Sequence, residues 1–217
     1  MAPHMLKTSC LWPKKRGLGC VAITDHNTTI GNLEARKLAK KLGIILISGM
    51  ELSTLDGEIL CYGIEHKIEM GLSAEEAVKQ IHKQGGIAVI AHPFNPKHPN
   101  PKFARIDEEI FTKLDVDGIE VFDAIKGRVD AHFLNLAEQK RYGITGGSDA
   151  HVLYQLGKGL TIIPDHCKTE EDVIQAIKNR HTYVTGLRIN YLKMATDVLW
   201  CNTLGRFLIN RFWGLGR

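Results

Sequence analysis

Histidine and acidic side chains follow five short apolar runs in this sequence, each at the point where the run ends. They are Asp25 and His26 after AIT, Glu51 after ISGM, His92 after VIA, Asp123 after GIEVF, and Asp149 with His151 after GIT. At the carboxyl ends of parallel strands such residues would meet on one face. Imidazoles and carboxylates without a thiolate suit Zn, Mn or Fe better than Ca. The pattern therefore predicts a divalent metal centre.

The spacing within two of these segments assigns roles. Residues two apart in an extended segment point to the same side, so Asp149 and His151 are expected to face one site. Asp25 and His26 are adjacent and should diverge, so we predict that His26 is a ligand. Asp25 is then the candidate catalytic residue, acting by orienting that histidine.

Short apolar runs rich in β-branched residues alternate with amphipathic segments of helical length. For example, GCVAITDH precedes TIGNLEARKLAKKLG, and GIEVFD precedes DAHFLNLAEQKRYG. Repeated units of this kind predict an α/β fold with a parallel sheet covered by helices, either a barrel or an open sheet. We divide the chain into an atypical segment at 1–16, a single domain at 17–185 and an amphipathic tail at 186–217.

The composition is that of an ordinary globular protein, with 44% hydrophobic and 24% charged residues. The formal charge of +4 is compatible with a phosphorylated small molecule or a polynucleotide and demands neither. Five scattered cysteines without a CxxC pair favour a reducing, cytoplasmic compartment and exclude a cysteine zinc site. No apolar run approaches the ~18 residues of a membrane span, so stable membrane insertion is not expected. The tail is predicted to be a packed helix, with a membrane-surface or dimer-forming helix as the alternative.

The segments AITDHNT, GMELS, AHP and GGSDAH occur in that order, with GEILCYGI between the second and third. Together they resemble the polymerase and histidinol phosphatase (PHP) family of metal-dependent phosphoesterases over residues 17–185. The resemblance implies a distorted (β/α)7 barrel with up to three metal ions at the carboxyl ends of its strands. It also implies a ligand set, with Glu51 bridging two ions: His26, Glu51, His92, Asp149 and His151.

The sequence departs from the family pattern in two places. The family opens with a strand that carries an HxH pair, whereas His4 is the only histidine before Asp25. We therefore predict an incomplete or altered first strand and two ions rather than three. In GEILCYGI, Glu58 stands where many relatives have a histidine ligand, and it either coordinates as a further candidate ligand or faces solvent.

An altered first strand predicts a gap between the second strand and the last. Residues 1–16, the tail from about residue 190, or a partner chain could cover the exposed edges. A homo-oligomer formed through the tail is one such arrangement.

The function that the resemblance implies is hydrolysis of phosphate esters, of nucleotides or short oligonucleotides. Basic residues after two strand ends could hold the substrate phosphate, or they could be ordinary surface charge: Lys97, Lys102, Lys126 and Arg128. The alternatives are a catalytically weakened metal-binding or regulatory relative, or an amidohydrolase-type metallohydrolase, which explains GSDAH less well.

Overall fold

The structure is a computed structural model, and it describes residues 13–93, 108–124, 126–151 and 153–189. Strands and helices alternate through most of this length, as the sequence predicted. The strands are β1 (Cys20–Ile23), β2 (Ile45–Thr54), β3 (Gly57–Tyr62), β4 (Ile87–Ile90), β5 (Gly118–Asp123), β6 (Arg128–Val129), β7 (Gly143–Gly147), β8 (Gly159–Ile162) and β9 (Tyr183–Gly186). The helices are α1 (Ile30–Leu42), α2 (Ala74–Lys83), α3 (Glu108–Phe111), α4 (Ala131–Lys140) and α5 (Glu170–Lys178), with a 3₁₀ turn at Leu153–Gln155.

The main sheet is mixed, so the expectation of a parallel sheet is wrong for its middle strands. β1 pairs with β2, β4 with β5, and β5 with β7 in parallel, but β3 is antiparallel to both β2 and β4. The reason is the connection between β2 and β3, which is a turn of only two residues, Leu55 and Asp56. Such a short turn can join antiparallel strands, whereas a parallel pair needs a long crossover.

The main sheet is also open within the described residues. Its strands run in the order β1, β2, β3, β4, β5, β7, with the short β6 beside β5, and β1 and β7 are not paired. The α/β class is therefore confirmed, while the predicted gap and the closed (β/α)7 barrel both remain predictions. The antiparallel pair β8 and β9 forms a separate two-stranded sheet that packs against β7, with α5 in the connection between its strands. Residues 1–12 and 190–217, which include most of the predicted covers, lie outside the described residues.

Helices cover both faces of the sheet. On one face Ile59, Ile90 and Ile119 are fully buried and pack with residues of α2 such as Ile81. On the other face Val89 packs with α5. Burial on both faces holds the strands firmly and so fixes the positions of the residues at their ends.

Side chains at the helix starts explain why the helices begin where they do. The Ser73 side chain accepts the backbone N–H of Glu76 at the start of α2, and Thr169 and Asp172 form a reciprocal capping box at α5. Among the described residues, no helix has both the length and the apolar character that a bilayer crossing requires.

Candidate metal centre

Three side chains from β1, β2 and β3 converge at one end of the sheet. One ligand atom from each of His26, Glu51 and Glu58 lies within 4.8 Å of the others. His26 Nδ1 is 3.4 Å from a carboxylate oxygen of Glu51 and 3.8 Å from one of Glu58. This arrangement, one imidazole beside two carboxylates, can hold a divalent transition-metal ion.

The register of the β2–β3 hairpin brings the two glutamates together. Ser53 pairs directly with Glu58, and Glu51 lies two residues before Ser53 on the same face of β2. Glu51 and Glu58 are therefore diagonal neighbours across the two strands. His26 joins them because it forms a parallel bridge with Glu51 just beyond the end of β1.

His92 follows β4 and faces the same carboxylates. Its Nε2 is 2.9 Å from Glu51 Oε1 and 3.7 Å from Glu58 Oε2. The backbone N–H of His92 donates to Glu120 Oε2 at 3.0 Å, which draws a buried residue of β5 into the cluster. Sequence reasoning missed Glu120, although an acid between two fully buried apolar residues, Ile119 and Val121, is a signal that could have found it.

Asp149 and His151 lie beside this cluster. The prediction that they belong to an extended segment is wrong. Asp149 has a φ of 41°, so the segment turns there instead of running extended. The His151 ring approaches the His26 ring at 6.1 Å between centroids, and its Nδ1 is 3.0 Å from the backbone oxygen of Asp149. Asp149 is close enough to His92 and Glu120 to influence the pKa of both.

The centre gathers four acids that are almost completely buried. Glu51, Glu58, Glu120 and Asp123 are each no more than 5% exposed. Burial, reinforced by the charges of Asp123 and Asp149, raises the pKa of Glu120 to about 8. Clustered buried carboxylates of this kind are unfavourable unless a cation compensates them. The donor set therefore fits divalent metal ions.

The histidine and glutamate that touch in this centre shift each other's pKa in opposite directions. Burial alone would lower the pKa of His92, but the hydrogen bond to Glu51 and the charges of Glu120 and Glu51 outweigh it and raise that pKa to about 10. Burial opposes ionisation of Glu51, yet the hydrogen bond and charge of His92 hold the Glu51 pKa below its ordinary value. Glu51 is thus kept anionic at the centre of the cluster.

Three residues of the centre have a left-handed backbone, which non-glycine residues rarely adopt: Asn27 (φ 53°), His92 (φ 21°) and Asp149 (φ 41°). Each is held by a hydrogen bond. Asn27 Oδ1 accepts the Ser53 N–H at 2.9 Å, Glu120 accepts the His92 N–H, and the carbonyl of Asp149 contacts the His151 ring. The unusual backbone is therefore fixed by neighbours within the site.

The second glycine of GGSDAH makes room for the carboxylate of Glu120. A Cβ atom on Gly147 would lie 1.9 Å from Glu120 Oε1. Any side chain at this position would displace the Glu120 carboxylate from its place in the centre. Gly147 thus lets β7 approach β5 closely enough to place Asp149 beside the buried acids.

The remaining predicted residues lie at the edge of this group or outside the described residues. The carbonyl of Asp25 accepts the Glu51 N–H at 3.3 Å, which places Asp25 next to the bridging position by its backbone. Lys126 follows β5 and interacts electrostatically with Asp130 and Asp123. Arg128 is exposed in β6. Lys97 and Lys102 fall outside the described residues.

Arg188 is a further basic residue near the end of β5 that sequence reasoning missed. A Cβ on Gly127, between Lys126 and Arg128, would lie 2.2 Å from Arg188 Cβ, so the two chain segments touch. Arg188 follows β9 and is about 60 residues from Gly127 in the sequence, so no local pattern could have indicated this contact. Three basic residues therefore surround the turn after β5.

The chain has an α/β fold that is similar to solved structures of PHP-like proteins. A family model described as PHP-associated matches residues 130–182. A two-domain protein from Bacteroides vulgatus that contains a predicted PHP-like metal-dependent phosphoesterase shares the fold, with a TM-score of 0.69 and 19% identity. That match covers 84% of this chain and 60% of the other. The resemblance to the PHP family is thereby confirmed.

Two further comparisons place the chain among individual proteins. It is 42% identical to the uncharacterized protein MJ1587 of Methanocaldococcus jannaschii over 111 residues, which are 51% of this chain and 61% of that protein. The crystal structure of Endonuclease Q, in complex with a 27-mer duplex substrate with an abasic lesion at the active site, matches with a TM-score of 0.57 and 16% identity. That alignment covers 79% of this chain and 51% of Endonuclease Q. The chain thus spans about three fifths of MJ1587.

Proposed function

We propose that this protein is a metal-dependent phosphoesterase. The observation that carries the proposal is the convergence of His26, Glu51 and Glu58 within 4.8 Å, beside the buried acids Glu120 and Asp123. PHP-like neighbours support the same class of activity. Divalent ions held there would supply Lewis-acid chemistry, activating water and neutralising charge on phosphoryl oxygens.

Each residue of the centre has a proposed role. Glu51 would hold two ions, because its two carboxylate oxygens face different histidines, His92 and His26. Glu58 serves as a ligand where relatives carry histidine, and Asp149 and His151 complete the set. Asp25 orients His26. We expect two ions, of Zn, Mn or Fe, because the two carboxylate oxygens of Glu51 face different histidines.

The substrate phosphate is proposed to bind at the basic turn after β5. Lys126 and Arg128 flank Gly127, and Arg188 packs against that glycine. This turn directly follows Asp123, whose carboxylate is part of the buried acidic group. Nucleotides or short oligonucleotides fit a site that combines metal ions with several basic side chains. The DNA substrate of Endonuclease Q, a structural neighbour, supports that choice.

The test of this function is a metal and substrate survey with a ligand variant. Metal-free protein is reloaded with Mn, Zn or Fe, bound metal is counted by mass spectrometry, and turnover is measured on p-nitrophenyl phosphate, mononucleotides, short oligonucleotides and an amide substrate. Asp149→Asn keeps the volume but weakens the ligand, so we expect lower metal content and at least about 100-fold less phosphoesterase activity.

Asp165→Asn is the matched control, because Asp165 is exposed in a turn away from the centre. It should leave metal content and turnover unchanged. Full metal content and full activity in Asp149→Asn would refute the assignment. Bound metal without turnover of any phosphate ester would favour the weakened, regulatory relative, and turnover of the amide alone would favour an amidohydrolase.

A second prediction concerns the basic turn. Replacing Lys126 or Arg128 by Met should raise KM for a phosphate ester by about 10-fold, because a charge-assisted hydrogen bond contributes roughly 1.5–3 kcal/mol. The value of kcat should change little, since the contact is made in the ground state and the transition state alike. Lys37→Met, at an exposed position of α1, is the control. Unchanged KM in both variants would assign these residues to ordinary surface charge.

A further inference from the structure

The segment just before β1 reaches across the open side of the main sheet. Arg16 donates from Nη1 to the carbonyl oxygen of Leu156 at 2.9 Å and from Nη2 to that of Tyr154 at 3.4 Å. The first of these bonds joins residues 140 positions apart in the sequence. Because β1 and β7 do not pair within the described residues, these two bonds connect the β1 side of the opening to the chain that follows β7.

The turn that Arg16 holds is the one that supports His151. Gln155 lies between Tyr154 and Leu156, is 1% exposed, and accepts the backbone N–H of His151 on its side-chain oxygen at 2.7 Å. Arg16 therefore holds the residues on either side of Gln155, and the Gln155 side chain in turn holds the backbone of His151. Asp149 is reached through the same loop, because its carbonyl lies 3.0 Å from the His151 ring.

A glycine allows the segment before β1 to approach this turn. Gly157 has a φ of 75°, a conformation that side chains rarely adopt. A Cβ there would lie 3.3 Å from Leu18 Cδ1 and 3.7 Å from Arg16 Cδ. Both the backbone of the turn and the side chains of the segment are thus arranged for this contact.

Arginine suits this role better than lysine. Its planar group presents several donors in a fixed fork, so it can bond two carbonyls at once and fix their relative orientation. Lysine carries a single rotatable ammonium on a flexible stem and would fix the turn less firmly. Arg16 is exposed, so its contribution is expected to be moderate, comparable to that of other groups that orient metal ligands from outside.

We propose that Arg16 is a positioning residue, which holds the 153–157 turn across the open side of the sheet so that Asp149 and His151 face the metal centre. This inference rests on the proposed metal centre for its effect on ions. Its effect on the loop itself is independent of that proposal.

The experiment compares the parent chain with Arg16→Ala, Arg16→Lys and the control Lys15→Ala, whose side chain is the exposed neighbour. Hydrogen exchange is followed by mass spectrometry in metal-free protein, and Mn affinity is measured by titration. In Arg16→Ala we expect exchange of residues 148–157 to become about 10-fold faster while α2 is unchanged. The Mn Kd should rise about 10-fold, as for loss of other orienting groups.

Two further results are expected if Arg16 acts by positioning. Arg16→Lys should fall between the parent and Arg16→Ala, and guanidinium at millimolar concentration should partly restore Mn affinity to Arg16→Ala but not alter Lys15→Ala. Unchanged exchange at 148–157, or faster exchange spread evenly over α2 and the rest of the protein, would overturn the inference. If the parent binds no metal, the proposed function fails, and the exchange data alone still decide whether Arg16 holds the loop.

Discussion

Replacing Glu51 by Gln is expected to abolish tight metal binding and to reduce phosphoesterase turnover by at least about 100-fold. The substitution keeps the shape of the side chain but removes its charge. Glu51 contacts both His26 and His92, so its loss affects ligands on two sides of the centre at once. Bound metal is counted after dialysis, and kcat is measured with metal in excess.

Glu69→Gln is the matched control, because Glu69 is exposed and pairs with Lys67 on the surface. It should bind metal and turn over substrate like the parent. Circular dichroism of metal-free Glu51→Gln shows whether the chain still folds, which separates lost coordination from lost structure. Parent-like metal content in a folded Glu51→Gln protein would remove Glu51 from the centre.

Replacing Gly159 by Ala should destabilise the fold by about 3 kcal/mol, as expected for overpacking of a buried position. A Cβ at this position would lie 1.8 Å from the backbone oxygen of Gly147 and 2.3 Å from its carbonyl carbon. Backbone atoms cannot turn away as a flexible side chain can, so β8 must move from β7. For a protein of this size the shift in Tm is roughly 6–12 °C, measured by calorimetry.

Gly19→Ala provides the contrast for that measurement. A Cβ on Gly19 meets no atom within 4 Å, and its backbone is outside the left-handed region. Alanine there should leave the Tm unchanged or raise it slightly, because it reduces the freedom of the unfolded chain. Equal Tm values for the two variants would show that the backbones at Gly159 and Gly147 are not in the close contact described.

The order of strands and helices and much of the metal centre could be predicted from the sequence. Apolar periodicity located the strands and helices, and the acids and histidines that follow apolar runs gave His26, Glu51 and His92, which the structure brings together. The prediction that Glu51 follows a strand is wrong, because it lies inside β2. The other two succeed because they depend on local patterns.

The features that sequence reasoning missed depend on contacts between distant segments. Glu120 enters the centre only because β4 and β5 pair in a particular register. The role of Arg16 requires a turn 140 residues further along the chain. The prediction for Asp149 and His151 assumed an extended strand, whereas the backbone turns at Asp149. No periodicity within a short window encodes the Arg16 contact or the turn at Asp149, and only the acid within the apolar run GIEVF gave a local signal, for Glu120.

The left-handed backbone at Asn27, His92 and Asp149 has a consequence for the choice of ion. Such a conformation costs a non-glycine residue roughly 1–2 kcal/mol, and the bonds from Ser53, Glu120 and His151 keep it in place. Ligands fixed in this way are preorganised, so little of the free energy of ion binding is lost in ordering them. A rigid cage also favours the ion whose preferred coordination geometry it matches. If the centre binds Mn, Fe or Zn as proposed, we expect the shape of the backbone to set the selectivity among them, against the order in which free ligands would rank these ions.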